Sequence, residues 1–228
     1  MQAVILAAGK GTRMRHLTLN RPKPLLPLLG KTLLEHKLDA LPPEIREVII
    51  VVGYLGDEIK KHLGNFYHGR TIRYAEDTVL HGTAKALFAA KDLLKDSFLV
   101  MMGDDVYRTE DMKKLMEKEW AVLVKKNNGE FEKGANVVAE NGLLKEITEG
   151  VVGADLKFFN TGLYILQKVF FNYEPVKLPG REEWGLPQTL CLVAKHFPVS
   201  VIETDFWLQI SSPEDIARAG GLLLTKPA

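Results

Sequence analysis

Short apolar runs alternate with amphipathic stretches along the first hundred residues, and no other feature limits the possible folds as much. "AVILA" is followed by a helix-like stretch at 32–40, "EVIIVVG" by one at 56–63, and "TIRYA" by one at 82–95 before "SFLVMMG". Strand-length apolar segments separated by helix-length amphipathic ones predict a doubly wound α/β sheet with helices on both faces. Thr32-Leu33-Leu34-Glu35 has the spacing of a capping box at one helix start. After about residue 110 the pattern turns strand-rich: "WAVLVKK", "ANVVAE", "LLKEI" and "FFNTGLYIL". A helix near 183–195, the strand "VSVIE" and a closing helix after Ser212-Pro213-Glu214-Asp215 follow. The expectation is one Rossmann-like mixed-sheet domain over 1–228, in two halves at 1–110 and 111–228.

The 228 residues suit a single core, since cores stop growing near ~250 residues. With 46% hydrophobic and 26% charged residues the chain is globular rather than disordered. No apolar run reaches the roughly 18 residues of a membrane span, and no charged leader precedes the first strand, so the expected compartment is the cytoplasm without a membrane partner. The one cysteine, Cys191, sits in "LCLVA" and reads as a small core residue; it excludes an internal disulfide and a CxxC metal cluster. The tryptophans at 120, 184 and 207 read as core. The histidines show no metal-ligand spacing, and His81 alone, beside Gly82, is a candidate for touching a ligand.

Net charge is +1, yet the first 34 residues hold six cations (Lys10, Arg13, Arg15, Arg21, Lys23, Lys31) and none of the 29 acids. A compact cationic region beside a glycine loop suits a small polyanion, whereas nucleic acid calls for a broad basic face. In open α/β sheets ligands sit beyond the carboxyl ends of the strands, where the first strand runs into Gly9-Lys10-Gly11-Thr12-Arg13. Two glycines let the backbone turn sharply and aim N–H groups at an anion, and Arg13 adds a forked cation. The loop is not a Walker loop, because GxxxxGK[ST] is absent, and not a dinucleotide fingerprint, because Met14 stands where GxGxxG needs its third glycine. Downstream, Pro22 and Pro24 brace Lys23 on an extended segment from which its ammonium can be aimed.

"LAAGKGTRM" followed by "PKPLLPLLGK" resembles the signature of the sugar-1-phosphate nucleotidylyltransferases. The likeness continues through "LHGTAKAL", "FLVMMGDD", "NTGLYIL" and "WLQISSPEDI", nearly the whole chain. The resemblance implies a glycosyltransferase-A-like nucleotidyltransferase fold. It also implies in-line attack of a sugar-1-phosphate oxygen on the α-phosphorus of a nucleoside triphosphate, with pyrophosphate leaving and no covalent enzyme intermediate. Such transfer depends on positioning and charge neutralisation, which suits a cation cluster and a metal. It further implies that Arg13 clamps the triphosphate, that Lys23 bridges the sugar phosphate and the α-phosphate, and that Asp104 binds Mg²⁺. Leu6, Ala7, Ala8, Gly9, Gly11, Thr12, Asp77, Gly82 and Thr83 fall at nucleotide positions, and Gly134, Glu149, Asn160 and Thr161 at acceptor positions. Gly82 and Thr83 open a helix where a missing Cβ and free N–H groups allow close approach to base and sugar.

Three positions depart from the family. Gln209 stands where the second metal carboxylate is usual, an amide oxygen without charge. Asp205 upstream would lie about 13 Å away along a strand and is no substitute. Asp77 replaces the glutamine of uridylyl and thymidylyl enzymes; a carboxylate only accepts, which suits the N1–H and N2–H of guanine. GTP is therefore one expected donor, with UTP or dTTP and then CTP as alternatives. Gly150 follows Glu149 where a lysine is common, so the sugar stays open. A regulatory subunit binding nucleotide sugars without turnover and a phosphocholine-type cytidylyltransferase remain alternatives, as does assembly into a homo-oligomer. Asp105 reads as a turn or N-cap residue rather than a ligand.

Overall fold

The computed structural model describes residues 1–225. In chain order its elements are β1 (Gln2–Ala7), β2 (Pro27–Leu28), β3 (Lys31–Thr32), α1 (Leu33–Ala40), β4 (Glu47–Val52), α2 (Gly56–Leu63), β5 (Phe66–Tyr67), β6 (Arg70–Glu76), α3 (Thr83–Ala89) and β7 (Ser97–Met102). Then follow α4 (Thr109–Met116), β8 (Ala121–Lys126), β9 (Lys133–Glu140), β10 (Leu143–Val152), β11 (Phe158–Gln167), β12 (Val176–Lys177), β13 (Trp184–Gly185), α5 (Leu186–Val193), β14 (Ser200–Thr204) and α6 (Pro213–Thr225).

One ten-stranded sheet runs β5-β6-β4-β1-β7-β11-β8-β14-β10-β9, so both halves of the chain share it. The strands β6, β4, β1 and β7 are parallel, with Ala7 level with Val52, Val52 with Glu76, and Leu6 with Met102. From β1 the chain steps outward to β4 and β6 and then returns to β7 on the other side of β1. The crevice between β1 and β7 is therefore the switch point where such sheets bind ligands. The remaining strands are mixed in direction: β11 is antiparallel to β7 and to β8, and β14 is parallel to β8.

Alternation along the strands divides the core between the faces. Val4, Ile49 and Val51 pack with Leu87 of α3 and with Leu186 and Leu190 of α5. Ala3, Ile5, Val48 and Ile50 pack with Leu38 of α1, Ile59 of α2 and Leu115 of α4. Helices on both faces match the sequence expectation. Two elements are shorter than their patterns: the stretch 82–95 breaks after Ala89 into a short 3₁₀ turn at Lys91–Leu93, and that at 183–195 is helical only over Leu186–Val193. In the latter, Trp184 and Gly185 pair with β12 instead, and Pro187 sits in the first turn of the helix, where its missing N–H costs nothing. The capping box forms as expected, Glu35 N–H donating to Thr32 Oγ1 (3.1 Å) and Thr32 N–H to Glu35 Oε2 (2.6 Å).

A third, smaller core lies beneath the loops. Met14, Leu26, Val106, Leu208 and Ile210 are buried together against Ala219 and Leu223 of α6. Met14, Leu26, Val106, Leu208 and Ile210 each lie within three residues of Arg13, Lys23, Asp104 or Gln209. Met14, fully buried, thus anchors the loop from below in place of a third glycine. Trp120 and Trp207 are core residues as expected, whereas Trp184 is half-buried on the β12–β13 hairpin. Cys191 is partly buried, and its Sγ accepts the Ile147 N–H at 3.2 Å.

Candidate active site

At the carboxyl edge of the parallel strands the backbone is too crowded for side chains at two points. A Cβ on Gly53, just past β4, would stand 2.6 Å from the Asp77 carbonyl and 2.9 Å from that of Ala8. A Cβ on Gly103, just past β7, would stand 2.6 Å from the Leu6 carbonyl, to which Gly103 donates at 2.9 Å. Tyr54 N–H bonds Ala8 O (3.0 Å) and Asp77 N–H bonds Val52 O (2.8 Å), so the exits of β1, β4 and β6 are stitched together. The Tyr54 hydroxyl reaches over to donate to Thr18 O and Leu19 O at 3.0 and 2.9 Å. These ties hold the glycine loop, the Asp77 turn and Asp104 on one rim.

The rim encloses a cleft of about 720 Å³ lined by every residue assigned above to the nucleotide, together with Lys23 and Asp104. Arg13 lines the cleft with its side chain exposed. Gly11 adopts φ +63°, the left-handed region, and a Cβ there would stand 3.0 Å from Lys23 Cβ. The lysine side chain therefore runs across the space the glycine leaves, buried to 6% exposure, and its ammonium is ion-paired with the Asp104 carboxylate, which is 31% exposed.

Asp104 and Asp105 diverge. Asp105 is buried, and Oδ2 accepts the Trp207 Nε1–H at 3.2 Å and lies 3.4 Å from the Tyr107 hydroxyl. It is neither a turn cap nor a cleft residue; helix α4 starts from Arg108 without a side-chain cap. Burial, then the Asp104 charge, pushes its carboxyl well above the usual carboxylate range, against the pull of Lys37 and Lys23. Lys37, at 2% exposure, donates its ammonium to the Asp105 carbonyl and lies 5.3 Å from the Tyr107 ring centroid. Burial pushes this ammonium below the usual lysine range, with Asp105 and Asp104 opposing the shift. Sequence reasoning missed Lys37, although it falls three or four residues from Leu33, Leu34 and Leu41, on the apolar face of α1.

The antiparallel bridge between Val106 and Leu208 lays the 207–210 segment alongside 104–106, which brings half-buried Gln209 to the neighbourhood of Asp104 although it does not line the cleft. The donor set suits a hard dication that draws most of its shell from phosphate and water: one accessible carboxylate and an amide oxygen nearby. Among the described residues no cluster of three His, Cys, Asp or Glu side chains could chelate a metal by itself.

Other expected residues have different duties. Asp77 lines the cleft but is 7% exposed, and its Oδ1 accepts the Leu80 N–H at 3.1 Å, fixing Leu80 at φ +58°. Gly82 also lines the cleft, yet its missing Cβ makes room for Trp184, whose carbonyl would lie 2.6 Å away, and not for a ligand. Thr83 Oγ1 accepts the Leu186 N–H at 3.0 Å. His81 does not line the cleft; its ring tilts against Trp184 at 5.4 Å.

The acceptor candidates stand apart from this cleft. Gly134 pairs with Val151, and a Cβ there would overlap the Phe159 ring. Glu149 is exposed at a bulge of β10 between Thr148 and Val151. Asn160 is buried and exchanges hydrogen bonds with the Tyr164 hydroxyl at 2.8 and 3.1 Å. Thr161 is fully buried, donating to Leu123 O at 2.9 Å and accepting the Tyr107 hydroxyl at 2.8 Å through its carbonyl. One contact links the regions: a Cβ on Gly162 would stand 2.5 Å from Cγ of Met102, which lines the cleft.

A nucleotidyl transferase family model matches residues 2–224. The bifunctional protein GlmU of Methanocaldococcus jannaschii is 31% identical over 99% of this chain, which spans 55% of that protein, about half the length of such relatives. The UTP–glucose-1-phosphate uridylyltransferase AglF of Haloferax volcanii is 30% identical, covering 94% of this chain and 93% of that protein. A crystal structure from Bacillus anthracis, assigned as a glucose-1-phosphate thymidylyltransferase, has a TM-score of 0.84 at 22% identity, covering 97% of this chain and 94% of that one. The inositol-1-phosphate CTP transferase of T. maritima has a TM-score of 0.80 at 21% identity, covering 98% and 94%; at such identity both speak for the fold alone. Among the described residues no helix is long and apolar enough to cross a membrane. The matched family model, the near full-length likeness to AglF and a cation-lined cleft at the switch point together show that this chain belongs to the sugar-1-phosphate nucleotidylyltransferase family.

Proposed function

We propose that the chain transfers a nucleotidyl group from a nucleoside triphosphate to a sugar 1-phosphate, releasing pyrophosphate. The observation that carries this reading is the meeting of Arg13, Lys23 and Asp104 with the glycine loop at one rim of the sheet. The acceptor phosphate oxygen forms the new bond to the α-phosphorus as the bond to pyrophosphate breaks, so negative charge grows on the departing group. Backbone N–H groups of 9–12 and the Arg13 fork receive the β- and γ-phosphates and stabilise that charge. The Lys23 ammonium, held in place across Gly11, bridges the two reacting phosphates and keeps them in line. Asp104, with Gln209 adjoining, would hold a divalent cation, which we take to be magnesium. When bound, that ion neutralises phosphate oxygens. Enzymes of this family commonly use a divalent metal.

For the donor we favour UTP or dTTP over GTP. The Leu80 N–H already takes one lone pair of Asp77 Oδ1, which leaves less acceptor capacity for the paired N1–H and N2–H of guanine than for a single donor. One free acceptor is enough for the N3–H of a uracil or thymine ring. The name of AglF points to the same class of donor. The acceptor hydroxyls fall to Glu149 and Asn160 on β10 and β11, beyond Met102.

The test is pyrophosphate release from ATP, CTP, GTP, UTP and dTTP, each with Mg²⁺ and a panel of sugar 1-phosphates. Turnover strongest with a uracil or thymine nucleotide supports the reading in full. A clear GTP preference overturns the donor assignment. Nucleotide binding with no turnover overturns the activity and favours a regulatory subunit.

A further inference from the structure

The proposed reaction uses Lys23 and Asp104, yet a second lysine, Lys37, and a second aspartate, Asp105, are buried beside them. Lys37 projects from the apolar face of α1 among Leu33, Leu34 and Leu38, where hydrocarbon would fill the space without the penalty of burying a charge. Its ammonium is spent on one acceptor, the Asp105 carbonyl, under the ring of Tyr107. The 105–107 segment receives further ties from other directions. Trp207 donates to the Asp105 carboxylate, Val106 and Leu208 exchange backbone bonds at 3.0 and 3.2 Å, and the Tyr107 hydroxyl is fixed on Thr161 O at 2.8 Å. Asp104 is the first residue upstream of this clamp and the only one of the two carboxylates facing the cleft. The clamp's charged donor thus comes from α1, the helix that also packs against the 3₁₀ turn Lys23–Leu25.

We propose that Lys37 is a positioning residue: through Asp105 it fixes the peptide that aims Asp104 at the phosphates and divides the two aspartates into one buried and one presented to the cleft. Removing the ammonium leaves the buried Asp105 carbonyl without its donor and takes away the cation that, with Lys23, opposes the charge of the two aspartates. Asp104 then loses its aim while the nucleotide cradle at 9–13 stays intact. The inference rests on the activity proposed above.

The experiment compares the wild-type chain with Lys37→Met and Lys37→Leu, which both remove the donor to the Asp105 carbonyl and keep the apolar face of α1. Steady-state turnover is measured together with binding of Mn²⁺ and nucleotide by electron paramagnetic resonance. In a folded Lys37→Met variant kcat falls roughly 10- to 100-fold while KM for the nucleotide moves less than about 3-fold, as misplacement of a reacting group predicts. Mn²⁺ affinity in the presence of nucleotide falls at least about 5-fold. If kcat and Mn²⁺ affinity both stay within about 2-fold of wild type, or if the loss is shared equally between kcat and KM, the proposal is overturned. Should Lys37→Met fail to fold, Lys37→Leu, which removes the same donor, decides on the same two readouts, with losses in the same direction expected and unchanged values contradicting the proposal. Should the wild-type chain show no turnover, the proposed activity fails, and the effect of Lys37→Met on Mn²⁺ binding still tests the positioning role separately.

Discussion

Gly11 and Lys23 pack as one unit: the lysine side chain occupies the space beside the glycine so closely that an added Cβ would lie 3.0 Å from Lys23 Cβ and 3.4 Å from its Cδ. Gly11→Ala therefore both strains a φ of +63° and pushes on the lysine. The left-handed backbone alone costs an L-residue about 1–2 kcal/mol. We expect a lower melting temperature and a drop in kcat/KM of about 10-fold or more. Gly9 is the control, because a Cβ there meets no protein atom within 4 Å. Gly9→Ala leaves the melting temperature unchanged, and its effect is confined to the KM of the nucleotide.

Lys23 and Asp104 form the ion pair at the centre of the cleft. Lys23→Met and Asp104→Asn are each expected to lower kcat about 10²- to 10³-fold, the usual scale for losing one electrostatic contact to a transition state. Since the two act on the same phosphates, the double variant loses less than the product of the single losses. Single-turnover rates of the three variants check this. Fully multiplicative losses would mean that the two residues act independently.

Gly53 and Gly103 hold the rim through backbone crowding, with added Cβ atoms 2.6 Å from carbonyl oxygens in both cases. Neither oxygen belongs to a flexible side chain. Gly53→Ala and Gly103→Ala should each destabilise the fold by roughly 1–3 kcal/mol. Chemical denaturation measures it, and a loss below about 0.5 kcal/mol in both would contradict the packing.

Glu35 supplies the pH dependence of helix α1. Its burial alone would raise the carboxyl, but hydrogen bonds from Thr32 and His62 outweigh that and leave the folded value below the ordinary 4.5. A depressed carboxylate contributes stability that is present above its unfolded value and is lost as pH falls through the folded one. Glu35→Gln is expected to cost about 0.5–1 kcal/mol near neutrality. The gap to wild type should narrow as pH drops below 4.5 and close once the carboxyl is protonated in both states. Urea titrations at several pH values read it, and a gap independent of pH would show that Glu35 acts through shape alone.

The strand and helix alternation carried most of the fold, because "AVILA", "EVIIVVG" and "SFLVMMG" announce buried strands whatever they pack against. The cleft was legible wherever one residue type answers to one chemical need, as with Gly9, Arg13, Lys23 and Asp104. What stayed hidden depends on contacts distant in sequence. Gly82 is a glycine because Trp184, about a hundred residues on, occupies its side-chain space. Asp77 spends an oxygen on the Leu80 N–H, a local turn no spacing rule predicts. Asp105 looked like a turn residue because its buried partners come from α1 and from the segment before α6. Lys37 was the one legible clue to that buried cluster, a charge at an apolar position of an amphipathic helix.

A crystal structure with a non-hydrolysable nucleoside triphosphate and Mg²⁺ tests the central claim most directly. The account places the α-phosphate against Lys23 and Asp104 and the β- and γ-phosphates on the 9–13 loop under Arg13. Phosphates bound elsewhere, with Lys23 still paired to Asp104 and Arg13 turned to solvent, would contradict it.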